Sequence, residues 1–187
     1  FISEVGVVAK VRDRNRIPGI LREIARINQR EARVGVFDDA PNLVRIAEMN
    51  EFGVDQQLTP ALHKRLRALA REYGAPTDTL PKPGERFRVP ERSFLRATAD
   101  ESGEVLRKAG SDAIARMMAG ELDAYEALME VGKAMQQAVI ERVRSGEGFE
   151  PLDPFTIAIT GERRPLIGRT GVFETTQGIR VRVVRKE

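Results

Sequence analysis

The chain has 187 residues, of which 32% are charged and 5% aromatic, with one His, no Trp and no Cys. That length suits one domain with a core of its own, and the missing thiols exclude disulfide frameworks, thiolate metal sites and cysteine nucleophiles, as expected of a protein made in a reducing cytoplasm. Net charge is only +3 although the isoelectric point lies near 9.5, because 28 acids nearly balance 31 bases, and the two kinds are segregated along the chain.

In chain order, Val5, Val7, Ala9 and Val11 alternate with small or polar residues and predict a strand with one buried face. Pro18 then suits a first helical turn, and Ile17, Ile20, Leu21, Ile24 and Ile27 recur at helical spacing, with Arg22, Arg26 and Arg30 on the outer side. Arg33 to Phe37 returns to strand character, and Asp38, Asp39 and Pro41 signal a turn and a helix start. Leu43, Val44, Ile46 and Ala47 predict a second, short helix closed by Gly53.

Residues 58–85 read as an insertion and a mobile arm: a helix with Leu62, Leu66, Leu69 and Ala70 on one face, then a loop with Pro76, Pro81, Pro83 and Gly84. Phe87 and Val89 precede Pro90 in an extended connection at a sheet edge, and Phe94 is expected in the core. From Gly103 to Arg144 a long helical region carries two apolar stripes, one with Val105, Ala113, Ile114, Met117 and Met118 and one with Tyr125, Leu128, Met135, Val139 and Val143. Gly120 predicts a break between them and Asp123 a cap for the second helix. Ile179, Val181 and Val183 alternate with Arg180, Arg182 and Arg185 in a terminal strand with a basic outer face. No run is apolar for long enough to span a bilayer and no signal pattern opens the chain, so a soluble protein and no membrane partner are expected.

Catalytic chemistry finds little support. His63 has no Ser or Asp partner at a meaningful spacing, and Asp38 and Asp39 are explained by turn and cap duty. Gly161 and Gly168 bracket ERRPLI, but the spacing is too long for a phosphate loop and the Lys is missing. No enzyme activity, no metal and no cofactor are therefore expected.

Three blocks are more specific. VGVFDD at 34–39 with IAEMNEFGV at 46–54, RVPERSFLRATAD at 88–100, and RPLIGRTG at 164–171 occur in this order across nearly the whole chain. Together they resemble the tail-completion and minor tail proteins of tailed phages, including the virion-morphogenesis type of Mu-like phages and prophages. The insertion, with TPALHKRLRALAREYG, is similar to an arm seen in a subset of these proteins. The chain departs from the family pattern after Gly171, with Phe173, Thr176 and Gln177 where Leu and then Ser-Ile are usual.

The fold expected is α+β, a small, mostly antiparallel sheet packed against long helices in a single domain with an arm at about 58–85. The resemblance implies a structural virion protein of the neck or tail, assembled in the host cytoplasm. It implies a ring, hexameric by expectation, that meets connector or tail-terminator proteins and encloses a channel through which genomic DNA passes without sequence-specific recognition. Rings need heterologous contacts that close. The candidate interface residues are Arg22, Arg26 and Arg30 against Glu121, Asp123, Glu126 and Glu130 of a neighbour. Glu51 and Phe52 with Arg92 and Arg96 join them, and for this group an intrachain ion pair and a subunit contact both stand. The rival reading is a nucleic-acid-binding protein, on the bases of Lys10 to Arg33 and of the terminal strand.

Overall fold

The computed structural model describes residues 15–78 and 80–186; the strand expected at 5–11 lies outside them. The fold is α+β, as the sequence predicts. In chain order it runs α1 (Ile17–Asn28), β1 (Arg30–Gly35), α2 (Pro41–Glu51), β2 (Val54–Gln57), α3 (Pro60–Tyr73), β3 (Arg86–Val89), α4 (Arg96–Glu101), α5 (Gly103–Ala119), α6 (Ala124–Ser145), α7 (Pro154–Thr160) and β4 (Arg180–Arg185).

The spine is α6. Asp123 and Glu126 start it with a reciprocal capping box, each carboxylate accepting the other residue's backbone N–H at 2.8 Å. Gly146, in the left-handed region at φ 64°, ends it. Gly120 closes α5 in the same conformation, so the break predicted there is a helical hairpin, α5 against α6, whose small core holds Ala113, Met117 and Ala127 with Ile27 of α1 beside them.

β1 and β4 pair antiparallel, with Ala32 opposite Val183, Val34 opposite Val181 and Arg33 opposite Arg182. Alternation turns Ala32, Val34, Val181 and Val183 toward one face, and that face lies on α6. The approach is close at Gly132: a Cβ there would sit 2.4 Å from Val181 Cγ1. Beneath the sheet, Val139, Ile140 and Val143 of α6 join Phe94, Ile167, Phe173 and Ile179 in the main core.

β2 and β3 form a second two-stranded ladder, Val54 opposite Val89 through Gln57 opposite Arg86. The expected single sheet is thus two ribbons. Residues 58–85 are the excursion between the strands of this hairpin, closed at its base where Leu58 N–H donates to Glu85 O at 2.8 Å and Gly84 N–H to Leu58 O at 2.8 Å. The segment expected to move as an arm has a core instead: Ala70, Ala75 and Leu80 are buried with Phe155 of α7, and Leu66, Ala158 and Ile159 surround them. The short α7 was not predicted. Asp153 caps it, accepting from Thr156 N–H at 3.0 Å, and Pro154 occupies its first turn.

Candidate functional site

The first two sequence blocks meet at Glu51. A carboxylate at the end of α2 faces an unfavourable helix dipole, but this one turns into the entrance of α4, where backbone N–H groups lack intrahelical partners. Ser93 Oγ donates to it at 2.8 Å, the N–H groups of Phe94 and Leu95 at 2.9 Å each, and Arg96 through both its N–H and its Nε at 3.0 Å. Glu51 is 4% exposed. Burial pushes its pKa up, and the donors from Leu95, Arg96 and Ser93 outweigh that, leaving it below the usual carboxylate range.

Arg96 also donates to Glu51 O at 2.8 Å and to Glu91 at 2.8 Å, and its guanidinium lies 4.7 Å from the ring centroid of Phe52. Arg92 turns elsewhere. Its Nε and Nη2 donate to the carbonyls of Glu150 and Pro151 at 2.9 and 3.2 Å, in a setting whose burial lowers its pKa. Of this group, Glu51 and Arg96 form the intrachain ion pair at 3.0 Å, and Arg92 does not join it. Gly53 completes the block: its φ is 69°, and a Cβ would stand 3.0 Å from both Val89 O and Glu91 N.

The third block enters the same core. Leu166 and Ile167 are buried beside Phe94, and Leu166 takes φ 68°, a conformation costly for a branched side chain and held here by its surroundings. Phe173, where the family pattern is broken, is buried with its ring centroid 5.8 Å from that of Phe94. Gly171, at φ 60°, starts the short 3-10 turn Val172–Glu174.

Part of the segregated charge is matched inside the chain. Arg26 pairs with Glu23 at 2.6 Å, while the other Glu23 oxygen accepts Ala124 N–H at 3.0 Å at the start of α6. Arg116 joins Glu130 at 2.6 Å and Glu121 at 3.3 Å. Asp123 and Glu126 are committed to the capping box. Arg22 makes no ion pair among the described residues, and Arg30 stands opposite Arg185. Asp39 does not cap α2, whose N-cap is Ala40 without a side-chain bond. It receives Arg180 and Arg182, which also lie over the Phe37 ring, and the Arg180 hydrogen bond above all lowers its pKa to about 2.

Among the described residues, apolar surface remains uncovered. No residue of α1 is buried, and Ile17, Leu21 and Ile24, at i, i+4 and i+7, are 63%, 59% and 42% exposed. Ile114 and Met118, one turn apart on α5, are exposed too, as is Phe52. Of the apolar stripes read from periodicity, Ile27 of α1 and Ala113 and Met117 of α5 reach a core.

Among the described residues, no group of three or more His, Asp and Glu is placed to hold a metal ion, and no helix is long and apolar enough to cross a membrane. No known protein family, curated protein or solved structure matches the chain.

Proposed function

We propose that the chain is a structural subunit of a tailed-phage neck or tail, acting by closing into a ring around the DNA channel. The observation that carries this reading is the exposed apolar stripe of α1, Ile17, Leu21 and Ile24. An amphipathic helix that leaves half of its apolar face in water is a surface for association. Ile114 and Met118 on α5 offer a second, different patch, and closed rings are built from two unlike patches.

The resemblance supports the same reading in a specific way. Its three blocks meet around Phe94 and Glu51, so the shared residues are those that make the domain, while the assembly surface lies on helices outside the blocks. Neighbouring copies are the first partners, six in the expected ring, with connector or tail-terminator proteins above and below. Apolar contacts supply most of the affinity, and exposed ion pairs, worth about 0–1 kcal/mol each, select the register.

The test is incorporation into particles. Leu21→Asp with Ile24→Asp alters exposed side chains only, so unfolding stability stays within about 0.5 kcal/mol of the parent. The double variant is expected to fold and to be missing from purified particles. Incorporation at the parental level would remove α1 from the interface and with it the support for this reading.

A further inference from the structure

We propose that the outer face of α3, formed by Lys64, Arg67 and Arg71, docks the phosphate backbone of double-stranded nucleic acid. The three residues lie at i, i+3 and i+7, hence on one side of the helix, and all are exposed. The only acid of α3, Glu72, projects about 100° away from Arg71.

On this face the bases stand together without acids. Arg26, Arg33, Arg96, Arg116, Arg180 and Arg182 each have a carboxylate within 4.0 Å. Among the described residues, Lys64, Arg65, Arg67 and Arg71 have none. The bases that first suggested nucleic-acid binding, in the N-terminal segment and the terminal strand, are thus partly neutralised, whereas those of α3 repel one another with no acid between them. The helix is held firmly enough to keep them in place. Thr59 caps its start by accepting Leu62 N–H at 3.2 Å, Gly74 ends it, and Ala70 and Leu66 fix its inner side to Phe155 and Ile159 of α7.

The chemistry of the face selects the occupant. Pro60, Ala61 and Ala68 stand beside the three bases, with the half-buried His63 one turn before Arg67, so no large apolar anchor is present for a protein interface, and no exposed aromatic ring is offered for stacking unpaired bases. What remains is charge on a straight rod with room for close approach. From Lys64 to Arg71 the helix axis covers about 10 Å, a length over which a duplex presents about six phosphate charges. Each base can meet its own phosphate. No base edge is read, so binding is independent of sequence.

The inference does not depend on ring formation, and its test uses the free, full-length chain. The measurement is fluorescence anisotropy of a labelled 20-base-pair duplex. Three phosphate contacts predict a slope of log affinity against log salt of about −2.7, so binding weakens about 40-fold between 50 and 200 mM salt. Lys64→Glu with Arg67→Glu and Arg71→Glu is expected to lower affinity at 50 mM at least about tenfold and to flatten the slope. The Gln versions of the same three changes should have a smaller effect in the same direction, with unfolding unchanged. Reversal of Arg22, Arg26 and Arg30 should weaken binding less than about threefold. Binding unaffected by either α3 variant overturns the proposal. So does equal or tighter binding of polyglutamate, which marks an acidic protein as the partner, or of a single strand. Failure here leaves particle incorporation of the α1 variant unaltered, so the two ideas fall separately.

Discussion

At the scale of the residue, Glu51→Gln is the most informative single change. Gln keeps the shape and one acceptor but loses the charge that Ser93, Phe94, Leu95 and Arg96 address, and such buried, charge-assisted bonds cost about 2–4 kcal/mol when broken. Urea unfolding should show a lower midpoint with an unchanged slope. The sign with pH follows from the lowered pKa. A carboxylate below its unfolded value near 4.5 contributes fully above that pH and loses its contribution as pH falls through the folded value. The gap between parent and variant should therefore be widest near neutrality and close in acid. A gap independent of pH would mean that shape, not charge, matters. In the sequence, the Glu at the end of a helix pointed to an Arg partner, and Arg96 is one. What the sequence could not reveal is that the strongest donors are backbone N–H groups, which every residue carries alike. Arg92 illustrates the same limit, since its main acceptors are the carbonyls of Glu150 and Pro151.

At the scale of the element, local signals were read correctly where capping chemistry is explicit. Pro18, Gly120, Asp123 and Gly53 marked ends that the structure places within a residue or two. Periodicity was less informative about burial: a 3.6-residue repeat says that α1 has an apolar face but not whether anything covers it. The short α7 escaped because seven residues carry barely two turns of pattern, although Asp153 before Pro154 is a start signal.

Two helix glycines give a paired test of the contact between α6 and the β1–β4 ribbon. Gly110 of α5 has open space around a Cβ, so Gly110→Ala should stabilise by about 0.5–1 kcal/mol through helix propensity alone. Gly132→Ala has the same intrinsic gain but meets Val181 Cγ1 and Ala32 Cβ, and overpacking of this kind costs about 1–3 kcal/mol. Thermal unfolding should move the two variants in opposite directions. If Gly132→Ala also stabilises, the ribbon is not seated on α6 as described.

At the scale of the whole molecule, the α+β class was legible because helix and strand periods differ, whereas strand partners were not, because pairing joins residues far apart in the chain. Nothing in RFRV or VDQQ names the other as its partner, and so one sheet was expected where two ribbons stand. The excursion at 58–85 was located by its proline-rich loop, but its attachment through Ala70, Leu80 and Phe155 depends on α7 and escaped with it.

The blocks that carry the family resemblance make the core and the Glu51 junction, and the proposed ring contacts rest on the exposed apolar residues of α1 and α5. The direct test of the proposed ring is electron microscopy of purified phage particles produced together with the chain. The account predicts a closed ring of this fold at the head–tail junction or tail end, with α1 at each subunit boundary. Absence of the chain from purified particles, or a ring in which Ile17, Leu21 and Ile24 face solvent, would contradict it.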